Sequence, residues 1–195
     1  MGVLPARSVS CHGRSCHELC AATGHVGCPG DDLGSVAISG NTVVVGTFII
    51  ANAAYVFDAS TGNLVSTLAD PVPGINDFGA SVAVRGNTVV VGAYAADTGA
   101  ADSGAACIFD APSGGLLASL ADPVPVASDQ FGSSVSISGT IVAVGTPLWD
   151  GTSMNRGDVY LFDANGTSTT LDADGNGTAD ALSDGILTLR YLDEH

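Results

Sequence analysis

The residues best equipped for chemistry form one acidic stretch near the C-terminal end, Asp172-Ala173-Asp174-Gly175-Asn176-Gly177-Thr178-Ala179-Asp180-Ala181-Leu182-Ser183-Asp184. A hard cation such as calcium takes roughly six to eight oxygen ligands, and alternating Asp and Asn around a glycine wraps carboxylates and a backbone carbonyl about one point. On that logic Asp172, Asp174 and Asn176 supply side-chain oxygens, Thr178 supplies its carbonyl, and Asp180 binds directly or through water. The closing ligand is Asp184, because the position that would ordinarily close such a loop holds Ser183. The competing reading is an acidic tail that holds no metal.

A second set of candidates is scattered through the middle of the chain: Asp97 and Asp102, then Trp149, Asp150 and Asp158. Acids in such positions are commonly turn formers. They become interesting only if an underlying framework gathers them at one end of the molecule.

That framework is a repeat. The stretch Phe78-Gly79-Ala80-Ser81-Val82-Ala83-Val84-Arg85-Gly86-Asn87-Thr88-Val89-Val90-Val91-Gly92 has an earlier copy from Leu33-Gly34 to Gly46 and a later one from Phe131-Gly132 to Gly145. The copies recur about every 50 residues, a spacing typical of stacked or radially arranged units. Within the second copy, Ser81 to Val84 reads as a strand, Gly86-Asn87 as a hairpin turn, and Thr88 to Val91 as a strand buried on both faces. A variable loop follows, then a third strand ending Cys107-Ile108-Phe109-Asp110 and a fourth over Leu116 to Leu120, stopped at Asp122-Pro123-Val124-Pro125. Tyr55-Val56-Phe57-Asp58 and Tyr160-Leu161-Phe162-Asp163 match the third strand, and Leu64 to Leu68 matches the fourth. Four short antiparallel strands per unit predict blades of a β-propeller, with Leu64, Leu68, Leu116, Leu120 and the valine runs as core.

These motifs resemble the FG-GAP repeats of bacterial extracellular proteins, which are related to the integrin alpha-chain propeller. The resemblance covers about residues 31 to 165. It implies blades used for binding or adhesion, on the outside of a cell or at its surface. Two departures are visible. Where integrin-type repeats carry an Asp-rich calcium loop, this chain has only Gly40-Asn41, Arg85-Gly86-Asn87 or Gly139-Thr140, and the GAP triplet reads Gly46-Thr47-Phe48, Gly92-Ala93-Tyr94 and Gly145-Thr146-Pro147. The acidic C-terminal stretch is similar to the first half of a dockerin, with Arg190-Tyr191 in the helix that would follow. A dockerin carries two such halves, and one is present.

The expected fold is therefore all-β: a partial propeller of three four-stranded antiparallel blades, followed by a short calcium loop and helix. The expected divisions are a leader over 1–30, blades over 31–76, 77–129 and 130–168, and the calcium segment over 169–195. Three blades fall short of a closed ring of about four to eight, so we expect a fragment, an assembling subunit or an open stack. Self-association through open blade edges is expected in the last two cases.

Composition narrows the function. Hydrophobic residues make up 46% of the chain, too many for a disordered polar segment, while 26 glycines and only 6% aromatics fit short strands joined by tight turns. Twenty acids against five bases give a net charge of −15, which disfavours nucleic acid and anionic membranes as partners. No apolar run reaches the roughly 18 residues of a membrane span, and Met1 to Ser10 shows no apolar stretch of a secretory signal. The leader holds Cys11, Cys16, Cys20 and Cys28 with His12, His17 and His25; it reads as disulfides, a metal site, or a segment without order.

The blades contain no histidine, and no nucleophile with its base or phosphate-cradling loop is evident. We expect no enzyme, with calcium as the cofactor and a protein or carbohydrate ligand at the blade loops. The alternative is the propeller portion of a secreted hydrolase acting on polysaccharide.

Overall fold

The protein is described by a computed structural model over residues 32–48, 52–72, 74, 76–148 and 157–166. The first blade comprises β1 (Asp32–Ser39), β2 (Thr42–Phe48), β3 (Ala53–Asp58) and β4 (Leu64–Ala69). The second comprises β5 (Ser81–Arg85), β6 (Thr88–Ala93), β7 (Ala105–Asp110) and β8 (Leu116–Ala121), and the third β9 (Ser134–Ser138), β10 (Ile141–Thr146) and β11 (Asp158–Asp163). Each is an antiparallel meander whose strands lie side by side in chain order. The fourth strand expected of blade 3, the leader, and the C-terminal calcium loop and helix lie outside the described residues.

Local chemistry explains the recurrence of the units. The first hairpin of each blade is a two-residue loop opened by Gly40, Gly86 or Gly139, all near φ +60°, where a side chain would be strained. The Phe-Asp pair closing each third strand makes the next turn. Asp58 Oδ1 accepts from the backbone N–H groups of Ser60 and Thr61, both at 2.9 Å, and Asp110 Oδ2 accepts from that of Ser113 at 3.1 Å. Four such bonds hold the Asp58 carboxyl down at about 2, the hydroxyl of Ser60 contributing most.

The blades pack face to face, and alternation along each strand divides the side chains between two cores. Val44, Val56 and Leu68 of blade 1 meet Val82, Val89, Val91 and Phe109 of blade 2. On the other face of blade 2, Val90, Ile108 and Leu120 meet Val142, Val144 and Phe162 of blade 3. Blade 2 is thus covered on both sides, and its Val89, Val90 and Val91 are wholly buried.

Two expectations about the core need correction. Leu68 and Leu120 are buried, but Leu64 is half-buried and Leu116 is exposed. Both lie beyond the irregularity that shifts the register where β3 meets β4 and β7 meets β8, on the outermost strand. The valine runs also differ by position: Val43 and Val45 are half-buried, since only the opposite face of blade 1 has a neighbour.

Candidate functional site

What joins one blade to the next is the Phe-Gly turn that opens the second. Gly79 donates its N–H to the Gly92 carbonyl of its own blade at 3.0 Å, and Gly132 does the same to Gly145 at 3.1 Å. The other side of each turn presses on the preceding blade. A Cβ added at Gly46 would strike the Gly79 carbonyl, and one at Gly92 would strike the Gly132 carbonyl. Glycine is required there because two backbones touch. Ser81 strengthens the second contact by donating its hydroxyl to the Gly132 carbonyl at 2.7 Å.

The phenylalanines anchor these turns. Phe78 and Phe131 are wholly buried. Phe78 packs edge-on against Phe109, with ring centroids 5.9 Å apart, while Phe131 meets both Phe162 and Tyr160 at the same separation. Sequence, turn and packing repeat together.

The FG-GAP repeat family matches this chain twice. The matches span residues 74–109 and 116–162. The first runs from the Phe78-Gly79 turn into the third strand of blade 2. The second begins on the last strand of blade 2 and carries the FG-GAP pattern through blade 3.

A comparison with curated proteins finds no match. Among solved structures, the computationally designed Ika4 protein is 22% identical with a TM-score of 0.50, over 77% of this chain and 78% of its own. The designed Ika8 protein (20% identical, TM-score 0.47, 69% of this chain) and BamB from Moraxella catarrhalis (19%, TM-score 0.47, 71% of this chain) are similar over less of their length. The chain spans 34% and 36% of those two proteins. At these identities the likeness concerns the fold alone.

Polar groups collect in the linkers that deliver each FG turn. In the linker from blade 1 to blade 2, Asp70 Oδ1 accepts from Val72 N–H at 2.8 Å. Its Oδ2 accepts from the Asn76 amide at 2.8 Å, and that amide donates also to the Val72 carbonyl at 2.7 Å. Asn76 Oδ1 then accepts from Phe78 N–H at 3.1 Å. The next linker keeps the first bond, from Val124 N–H to Asp122 Oδ1 at 2.8 Å, but Asp129 stands where Asn76 stood. Asp122 is 4% exposed and Asp129 1% exposed, and Asp122 Oδ2 has no hydrogen-bond partner.

Two carboxyl groups therefore face each other away from water. Burial, followed by the charges of Asp129 and Asp158, raises the pKa of Asp122 above the ordinary range. Tyr160 is pushed upward as well, mainly by burial and then by Asp122, Asp158 and Asp129. At the first junction the counterpart of Tyr160 is Cys107, a buried thiol raised to about 11, chiefly by burial. A thiol so protected is inert.

The loop residues singled out from sequence fall into separate places. Asp97 and Asp102 are exposed and adjacent, with Asp97 Oδ1 accepting from Asp102 N–H at 2.9 Å. Asp158, also exposed, begins β11 close to the buried acids of the second junction. Trp149 and Asp150 lie outside the described residues, as do Asp172, Asp174, Asn176, Thr178, Asp180 and Asp184. Among the described residues, no three Asp, Glu, His or Cys side chains come together as a metal-binding group.

The loop bearing Asp97 and Asp102 has a structural task that its sequence did not announce. Its backbone carbonyls at Ala101, Asp102 and Ser103 accept from the N–H groups of Ser128, Gln130 and Phe131, at 2.8, 3.2 and 2.9 Å. A short parallel bridge between Gly104 and Phe131 continues the seam. The loop clamps the second FG turn. In blade 1, where the loop is shorter, the Asn52 amide performs a related task by donating to the Gly74 carbonyl at 2.6 Å. Asn76, Asp122 and Asp129 were also missed; their signal was the acid that precedes each FG pair and the Asp-Pro-Val-Pro exit, read only as a strand stop.

Proposed function

We propose that this chain is a non-catalytic binding or adhesion module built from FG-GAP repeats and working outside the cell or at its surface. The observation that carries the reading is the double family match, laid over blades whose FG turns all serve as inter-blade joints. A scaffold of this kind holds its loops rigidly at one end, where a protein or carbohydrate ligand is read. Asp97 and Asp102, exposed on a clamped loop, are the first contacts to test, with Asp158, Trp149 and Asp150 from blade 3.

The hydrolase reading gains no support from the acids of the second junction. Asp122 and Asp129 are sealed within the junction, whereas a glycosidase pair must flank a substrate bond. Among the described residues no helix is long and apolar enough to cross a membrane.

Calcium belongs to the same proposal, through Asp172, Asp174, Asn176, Thr178, Asp180 and Asp184. Calorimetric titration of calcium into the full chain should show near one equivalent, lost in the Asp172→Ala, Asp174→Ala double variant. Binding that survives in the double variant would move the metal elsewhere. Screening immobilised glycans and matrix proteins with the chain and with an Asp97→Ala, Asp102→Ala variant tests the ligand surface; a ligand held equally by both would remove that loop from it.

A further inference from the structure

Each internal joint consists of a socket on one blade and an FG turn from the next, and blade 3 has a socket of its own. Gly145, Thr146, Pro147, Gly157, Asp158 and Val159 line a cleft of about 690 Å³. In blade 2 the corresponding Gly92 and Gly104 are filled: a Cβ at either would strike the backbone of Gly132 or Phe131. At Gly145 the nearest obstacle is the Ser134 hydroxyl, and at Gly157 the backbone of Pro147, both from blade 3 itself. Ser134 occupies the position from which Ser81 grips the Gly132 carbonyl.

The opposite end of the array carries the matching face. Val36 and Ile38 on β1 are 69% and 67% exposed, although Val82, the residue corresponding to Val36, is 9% exposed in the joint between blades 1 and 2. On blade 3, Val159 is 61% exposed where the corresponding Ala106 is fully buried. One end therefore presents the surface that inserts at both internal joints, and the other presents the surface that receives.

We propose that a second copy of this chain docks head to tail, the Val36/Ile38 face of its blade 1 seating on the blade 3 socket lined by Gly145, Pro147, Gly157 and Val159. Such a contact joins two different surfaces, so two copies repeat it twice and close a ring if the rotation permits. Two sets of the three described blades fall within the range of about four to eight that propellers adopt. The proposal rests on the repeat architecture alone; loss of calcium or ligand binding would leave it standing.

Light scattering coupled to size-exclusion chromatography tests it on the full chain. The expected mass is about twice the 19.3 kDa of one chain. Ile38→Asp and Val159→Asp should each reduce it to a monomer with unchanged far-ultraviolet circular dichroism, because both side chains are exposed in the single chain. Mixing the two variants should restore a pair, since one intact head then meets one intact tail; a misfolded variant could not complement. A monomeric wild type at the highest soluble concentration would overturn the proposal. So would an association that Ile38→Asp abolishes and Val159→Asp leaves untouched, which would mean a contact between identical faces.

Discussion

The two internal junctions have the same backbone plan and opposite electrostatics. In the first, an asparagine amide stands between Asp70 and the linker carbonyls, so every donor and acceptor of that side chain is used. In the second, Asp129 takes the place of the amide; it accepts from Val126 N–H at 2.7 Å and, as a carboxylate, has no N–H groups to give Asp122. One junction has a hydrogen-bond partner for each of these groups. The other seals two acids from water, and burial favours the uncharged form of Asp122. The difference shows how a repeat can hold its geometry while one substitution alters the conditions under which a joint is strong.

The largest test of this comparison concerns the anchors. Phe131→Ala should cost about 3–5 kcal/mol, and Phe78→Ala somewhat less, because Phe131 packs on two aromatic rings and Phe78 on one. Urea denaturation followed by circular dichroism measures both. The reverse order would mean that the linker acids, not the rings, set the strength of each joint.

Next come the glycines. Gly46→Ala and Gly92→Ala drive a methyl into a neighbouring backbone carbonyl and should each cost about 1–3 kcal/mol or more, while Gly145→Ala meets only the Ser134 side chain and should cost less. Thermal melts of the three variants in dilute monomer rank them. Equal losses would show that the three positions are alike and that the third socket is already filled.

The smallest effect is in the hairpin turns. Asp58 has its pKa lowered to about 2, so its turn contributes stability above the ordinary carboxylate range and loses it as pH falls toward that value. Asp58→Asn should flatten the acid limb of the stability curve by lowering stability slightly in the neutral region, where the ionised carboxylate makes its bonds. A melt series from pH 5 down to 2 checks this.

Much of the fold was legible from sequence for physical reasons. A strand such as Thr88–Ala93 declares itself because a β-branched run that follows Gly86-Asn87 has few other conformations to adopt. The family motif, Phe-Gly followed by a valine run, is visible because close backbone contact admits only glycine. The half-burial of Leu64 and the exposure of Leu116 were not legible, because a register irregularity re-aims an outer strand without changing its composition. The junction acids were hidden for another reason. Asp122 and Asp129 resemble turn formers until the chain is folded, and their meaning comes from what faces them across the linker. Asp97 and Asp102 were legible as loop residues, but the clamp is made by backbone groups, which leave no side-chain signature.

The most direct measurement is a reciprocal exchange, Asp129→Asn and Asn76→Asp, with stability followed by thermal denaturation between pH 4 and 8. The pKa of Asp122 is raised in the folded protein, so its protonated form stabilises at low pH and that contribution is lost as pH rises through the folded value. Asp129→Asn should therefore stabilise the protein at pH 8 and make this slope shallower, the part due to burial of Asp122 remaining. Asn76→Asp should cost about 1–3 kcal/mol at pH 8 and introduce a slope of the same sign at the first junction. If Asp129→Asn destabilises at pH 8, or if both exchanges leave the pH profile unchanged, the buried acid pair does not govern the second joint and the contrast between the two junctions falls.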